Sequence, residues 1–465
     1  MSLFNKLAII ILFSSFTFVT GAQESSVTGF WSGKIQLPVM TLEMIFNISE
    51  NDSGKLVATL DVPMQGAKDI SVSEVISTQD SLILKVPQIM GIYKGRFITA
   101  DSVEGQWHQS GRYLTLNLVR KEEAPVINRP QTPKPPFPYL VEEVEYINPE
   151  SGFKLAGTLT IPENANGCPA VVMISGSGAQ DRDETIFEHK PFWVIADYFA
   201  RNGIAVLRID DRGVGGSEGN IREATSEDFA GDVLAGIDFL KTRKEINPEK
   251  IGLTGHSEGG LIAPIAATKR EDIAFIILMA GPGINGEQIL YEQGELINRA
   301  GGLTESQIEQ NKKMQKAIFD IILNEKDSAT QIDRLQRTYS GGMYFMLDST
   351  RKQTVDDRIR AVNTPWFKFF LTYDPYPTLT KVSCPVLTMI GEKDLQVPPK
   401  SNLAAIEKAL TEGGNKNVKT MELPGLNHLF QNCKTGTISE YAEIEETIDV
   451  KVLEIMKNWI IEVAR

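Results

Sequence analysis

One short stretch of the chain has the residue types and spacing for nucleophilic chemistry. In Gly255-His256-Ser257-Glu258-Gly259 a serine stands two residues from a glycine on either side. The apolar run Ile251 to Thr254 leads in as a predicted strand, and a small-residue stretch from about Gly259 leads out as a predicted helix. A strand that becomes a helix within so few residues holds the apex serine in a strained backbone conformation and pushes its hydroxyl outward. Glycines beside it remove the Cβ atoms that would clash in such a turn. The N–H of Glu258 is expected at the helix N-terminus, where it can face a developing oxyanion.

A serine hydroxyl needs a base to take its proton, and the base needs a partner that fixes its tautomer. The chain has four histidines. His256 adjoins Ser257, and its side chain is expected to point away. His189 precedes a predicted helix, and His108 reads as a surface or packing residue. His428 follows the last predicted strand, where a loop can hang over the sheet edge, and is the expected base. Asp394 follows the preceding strand and is the expected acid, with Glu392 as its rival. A second oxyanion donor is expected in Ser175-Gly-Ser-Gly178: the backbone N–H of Ser177 first, Gly178 next. No Gly-Lys-Ser/Thr follows these glycines, which argues against a phosphate loop.

These residues need a scaffold, and the pattern of the second part of the chain supplies one. Strands are predicted at 141–147, 154–161, 170–175, 204–209, 251–254, 273–279, 385–390 and 418–423. Helices are predicted at about 191–202, 226–243, from 259, 400–410 and 443–463. Continuous apolar strands such as Ala170-Val-Val-Met-Ile-Ser175 suit burial on both faces of a parallel sheet, and the alternation argues a mostly parallel α/β fold. From about 282 to 378 it is interrupted by a helical insertion, with helices at 287–300, 305–323 and 332–339, placed to form a lid. Trp366, Phe367 and Phe370, near its end, are expected either to line a substrate pocket or to pack the lid onto the body.

The region before this reads differently. From Val27 to about Arg120, apolar and polar residues alternate in short runs separated by turn residues such as Asn51-Asp-Ser-Gly54. That pattern predicts a small antiparallel, barrel-like all-β domain over 23–123, with Trp31 and Trp107 filling its core. A proline-rich segment, 124–140, is expected to act as a semi-rigid spacer before the catalytic domain, 141–465. Residues 1–22 read as an export signal: Lys6, an apolar stretch Leu7 to Val19, and small residues Thr20-Gly21-Ala22 at the cut. The expectation is therefore a periplasmic or secreted protein with no stable membrane anchor after cleavage.

Composition narrows the partners. Hydrophobic residues at 42% and charged residues at 23% are those of an ordinary globular protein. The net charge of −13 disfavours nucleic acid as a partner. Cys168, Cys384 and Cys433 fit no metal motif and read as buried small residues.

Taken together, Ser175 to Glu184, Asp210-Asp-Arg-Gly-Val-Gly-Gly-Ser217, Gly255 to Gly260, Gly391 to Asp394 and Leu426 to Phe430 resemble the signatures of the α/β-hydrolase superfamily. Specifically, they resemble bacterial esterases akin to the serine-aminopeptidase-like hydrolases. The chain order Ser257, Asp394, His428 agrees with that superfamily. The resemblance implies hydrolysis of small-molecule carboxylic esters of short to medium acyl chains through an acyl-enzyme, a route needing no metal or cofactor. It also implies that the arginine and glycines of 210–217 brace the active-site loops. An aminopeptidase or amidase with the same triad is the nearest alternative, with Glu287, Glu292 and Glu295 as possible anchors for an amine. A non-catalytic ligand-binding protein is the more distant one.

Overall fold

The computed structural model describes residues 27–464 except 38–40, 64–66, 110 and 124–127. The segment read as an export signal lies outside the described residues. Among the described residues no helix is long and apolar enough to cross a membrane.

The first strands are β1 (Gly29–Gln36), β2 (Thr41–Glu50), β3 (Leu56–Val62), β4 (Ala67–Val72), β5 (Glu74–Ser77), β6 (Ser81–Val86), β7 (Gly91–Thr99), β8 (Ser102–Gln109), β9 (Arg112–Thr115) and β10 (Leu118–Lys121). They form one antiparallel sheet in the order β4-β3-β2-β1-β10-β8-β7-β6-β5, with β9 on β8. The sheet curls until β3 approaches β5 and β4 approaches β6, so it is barrel-like and nearly closed. Alternate residues face inward, and Trp31, Phe46, Tyr93 and Trp107 fill the interior. The glycines of β7 and β8 serve this packing. A Cβ on Gly95 or on Gly105 would lie 2.5 Å from the Tyr93 hydroxyl oxygen. His108 is half-buried and lies against Tyr113, ring centroids 4.4 Å apart.

The segment after β10 is more than a spacer. Arg129 is buried and donates to the carbonyls of Phe187, Ala442 and Ile444, at 2.8 to 3.2 Å. The side-chain oxygen of Gln131 accepts from the backbone N–H groups of Thr447 and Ile448. Phe137 stacks on Tyr139 at 5.3 Å. Proline content predicts extension, but the arginine and glutamine strap that extended chain onto the body.

The second sheet comprises β11 (Tyr139–Ile147), β12 (Lys154–Pro162), β13 (Cys168–Ile174), β14 (Ala205–Ile209), β15 (Ile246–His256), β16 (Ile276–Met279), β17 (Val386–Gly391) and β18 (Val418–Leu423). Their order is β11-β12-β14-β13-β15-β16-β17-β18. Pairing is parallel from β14 to β18 and antiparallel for β11 and β12. Because strand side chains alternate, Val172 and Ile174 face one apolar layer while Val171 and Met173 face the other. The first layer is covered by α2 (Ser226–Lys241), α3 (Gly259–Lys269) and α10 (Pro399–Glu412); the second by α1 (Pro191–Arg201) and α12 (Val450–Val463). The predicted C-terminal helix starts at 450 rather than 443. Asp449 caps it by accepting from Lys451 N, and a separate short helix, α11 (Ile438–Glu443), precedes it.

The insertion is helical throughout: α4 (Gly286–Ala300), α5 (Glu305–Asn324), α6 (Ser328–Ser340), α7 (Ser349–Val362), α8 (Pro365–Thr372) and the single turn α9 (Tyr376–Leu379). It has its own small core around Ile318, Phe319, Leu335 and Ile359. This is an α/β-hydrolase sheet with a helical lid, preceded by a nearly closed all-β sheet.

Candidate active site

The parallel strands deliver their C-terminal ends, and the loops after them, to one edge. β15 ends at His256 and α3 begins at Gly259, which leaves Ser257 at the apex of the turn. Ser257 is half-buried, with φ of 53°, in the left-handed region that non-glycine residues rarely adopt. Its N–H donates to Met279 O at 2.8 Å, which ties the strained apex to β16. The turn closes only because of its glycines. A Cβ on Gly255 would sit 2.0 Å from Gly259 O, and one on Gly259 would sit 2.1 Å from Ile174 O.

Asp394 lies three residues beyond β17 and is 2% exposed. Its Oδ1 accepts from the N–H groups of Gln396 (2.8 Å) and Val397 (2.9 Å), which leaves Oδ2 aimed at His428 Nδ1, 2.7 Å away. Glu392 is turned elsewhere: it is exposed and accepts from Gly425 N at 2.8 Å. The loop carrying His428 is built on fully buried Asn427, whose Oδ1 accepts from Leu429 N and Gln431 N and whose Nδ2 donates to Gln431 Oε1. Ser257 Oγ has no hydrogen bond to the imidazole here; such contacts commonly tighten only when substrate binds.

The loop after β13 runs from Ser175 to Glu184 and is fastened from below. Ser175 Oγ donates to Asp211 Oδ1 (2.7 Å), Gln180 N to Asp211 Oδ2 (2.9 Å), and Arg182 pairs with Asp210. The bracing expected of 210–217 comes from the two aspartates together with a glycine, since Gly216 N donates to Asp210 Oδ2 at 3.1 Å. Arg212 pairs instead with Asp232 of α2. Gly176 lies against the elbow, since a Cβ there would be 3.2 Å from Ser257 Cβ. Among the described residues the N–H groups of Ser177 and Glu258 have no protein acceptor.

A cleft opens on this side of the elbow, bordered by Gly176, Gly178, Asp211, Phe229, Glu258 and Ile262. Of the three aromatic residues expected to line a pocket, none borders this cleft. Phe367 packs on Phe319 inside the lid, and buried Phe370 stacks under Trp366 at 5.4 Å. Trp366 and Phe370 pack the lid against the main core, whereas Phe367 belongs to the lid's own core. Trp366 Nε1 donates to Glu258 Oε1 at 2.6 Å, and Ser226 Oγ donates to the same oxygen at 2.6 Å.

Several side chains that sequence reasoning passed over are central here. Glu258 is 3% exposed, and burial raises its carboxyl pKa against the pull of Ser226 and Trp366. Burial also pushes Asp211 up, to about 7, opposed by its bonds from Ser175 and Gln180. His256 does not point away. Its ring lies 4.8 Å from that of His428, with Nδ1 2.9 Å from Glu184 Oε1 and Nε2 3.0 Å from His428 O. His189 is buried, bonded to Thr447, to Tyr441 O and to Gln431 of the His428 loop, and burial pushes its pKa down to about 4. The three cysteines are half-buried rather than buried, and none is paired. Among the described residues no group of three or more His, Cys, Asp or Glu side chains is arranged to hold a metal ion.

Sheet order, elbow and lid define a hydrolase of the α/β-hydrolase type. The family model of the X-Pro dipeptidyl-peptidase (S15 family) matches residues 151–421, more than half of the chain, and the chain belongs to that family. Esterase EstD of Thermotoga maritima is 25% identical over 326 residues, which cover 68% of this chain and 70% of that protein. Thiohydrolase aneE of Aspergillus aculeatus is 39% identical over 136 residues, 29% of this chain and 40% of that protein. Among solved structures, the α/β hydrolase GrgF from a Penicillium species aligns over 70% of this chain and 98% of its own, at 18% identity and a TM-score of 0.43. The esterase PF2001 of Pyrococcus furiosus aligns over 72% and 96%, at 16% identity and a TM-score of 0.43.

Proposed function

We propose that the protein is a serine esterase that cleaves carboxylic esters of short to medium acyl chains through an acyl-enzyme. The observation that carries this is the serine held at φ 53° on the same sheet edge as the His428–Asp394 pair, 2.7 Å between Nδ1 and Oδ2. With Nδ1 donating to Asp394, Nε2 of His428 is left as the acceptor, the tautomer a general base requires. His428 takes the proton of Ser257 as the hydroxyl attacks the ester carbonyl. The N–H groups of Ser177 and Glu258 receive the oxyanion, and the imidazolium then gives its proton to the leaving alkoxide. Water, activated by the same imidazole, releases the acid and restores the serine. Likeness to esterase EstD supports an ester substrate.

A second reading has its own support. The family description, X-Pro dipeptidyl-peptidase, suits a substrate with a free amine cleaved at an amide, and the carboxyl of Asp211 borders the cleft. The experiment is turnover of p-nitrophenyl esters from acetate to palmitate, beside an aminoacyl-arylamide, by the protein and by Ser257→Ala. Ester turnover that peaks at short chains and vanishes in Ser257→Ala is expected; turnover of the amide alone would move the assignment to a peptidase. We also propose export with removal of residues 1–22, which the intact mass of the exported protein tests.

A further inference from the structure

Behind the elbow lies a second histidine–carboxylate pair that the reaction scheme does not use. Glu184, 5% exposed, ends the loop that carries Ser177, and its own φ is 51°. A glutamate held in the left-handed region is strained, and such strain persists only where surrounding contacts fix it. Two contacts do so here. Glu184 Oε1 accepts from Gly176 N at 2.6 Å and from His256 Nδ1 at 2.9 Å. The other ring nitrogen, Nε2, is 3.0 Å from the carbonyl oxygen of His428.

Protonation follows from the partners. A backbone carbonyl only accepts, so Nε2 carries a proton. A carboxylate oxygen that receives two N–H bonds also only accepts, so Nδ1 carries one too. A ring that donates at both nitrogens is an imidazolium. The titratable groups facing it are Glu184 from the loop after β13, and His428 with Asp394 from the loops after β18 and β17.

We propose that Glu184 and His256 are positioning residues: a buried carboxylate–imidazolium clamp that holds the oxyanion loop, the Ser257 strand and the His428 loop in register, and whose charge is needed for turnover. The proposal rests on the reading of Ser257 and His428 as reacting groups. Each bond of the clamp reaches a different part of that site. Gly176 precedes Ser177, His256 precedes Ser257, and the bonded carbonyl belongs to His428 itself. Releasing either bond lets two reacting segments drift, and misplacement of about 1 Å costs about 100-fold in rate.

The test combines a spectrum with kinetics. Histidine-labelled full-length protein is followed by ¹⁵N NMR from pH 6 to 9, with the His256 signal identified by its loss in His256→Asn. Both ring nitrogens are expected to be protonated at pH 7.5 in the unaltered protein and also in Ser257→Ala. Glu184→Gln, nearly isosteric, is expected to move that titration to lower pH and to reduce kcat about 10- to 100-fold. KM should change little, and Glu184→Asp should recover part of the loss. A neutral His256 at pH 7.5, or a Glu184→Gln enzyme within twofold of normal kcat, overturns the proposal. The spectrum of the unaltered protein decides the charge even if Glu184→Gln does not fold. Turnover persisting in Ser257→Ala would count against the nucleophile assignment and leave the spectrum unaffected, so the two failures are distinguishable.

Discussion

Two carboxylates sit two residues apart in Gly391-Glu-Lys-Asp394, and only one of them meets the imidazole. Asp394 is pinned by two backbone N–H groups and faces His428 Nδ1, whereas Glu392 is exposed and bonded to Gly425 N. Asp394→Asn is therefore expected to lower kcat by roughly 10³- to 10⁴-fold by stabilising the wrong tautomer, while Glu392→Gln stays within about threefold of normal; steady-state kinetics on one aryl ester check both. The placement of Ser257, His428 and Asp394 at one sheet edge was legible because each depends on a local pattern, a serine between glycines or a polar residue just past a strand. Glu184 and His256 were not. Their pairing spans 72 positions, and nothing in the spacing of either residue announces the other. The same holds for Glu258, whose backbone could be placed by the elbow but whose buried carboxyl depends on Ser226 and Trp366 from elsewhere.

The lid is joined to the nucleophile turn by an indole, where α8 lays Trp366 across Glu258. In Trp366→Phe the ring stacking on Phe370 can persist but the bond to a buried carboxyl is lost. The variant is expected to be less stable by about 1.5–3 kcal/mol in urea unfolding, and to show faster protease cleavage within 282–378. Unchanged stability and cleavage would mean that the lid is held by its apolar contacts alone. The inner strands β13 and β17 were readable from continuous apolar runs, since both their faces are covered. By contrast, α7 was hidden in the polar run Ser349–Val362, because only Val355 and Ile359 turn inward. In β7 and β8, Gly95 and Gly105 admit the Tyr93 ring, a packing role that alternation alone does not announce. The strap over 128–138 was missed because prolines state how the chain extends and not where it docks.

Across the whole molecule, two buried groups give stability opposite pH dependences. His189 has a folded pKa of about 4 against 6.5 unfolded, so the unfolded chain binds the extra proton and stability falls as pH drops from 6.5 toward 4. Asp211 has a folded pKa of about 7 against 3.8 unfolded, so its contribution is full below 3.8 and is lost as pH rises through 7. Urea unfolding from pH 4 to 8 should therefore show a flatter acid limb in His189→Gln and a flatter neutral limb in Asp211→Asn; parallel curves for all three proteins would contradict both assignments. The general architecture, a curled β sheet before an α/β sheet with a helical insertion, was readable from periodicity alone. How the segment between them docks on the α/β part was not, because Arg129 and Gln131 find partners more than 300 positions away. The most direct measurement is to label the full-length protein with a fluorophosphonate, which forms a stable adduct with an activated serine, and to map that adduct by peptide mass spectrometry. A single adduct on Ser257, absent in His428→Ala, is predicted. Turnover of esters with no adduct on Ser257, or an adduct elsewhere in the chain, would contradict the account.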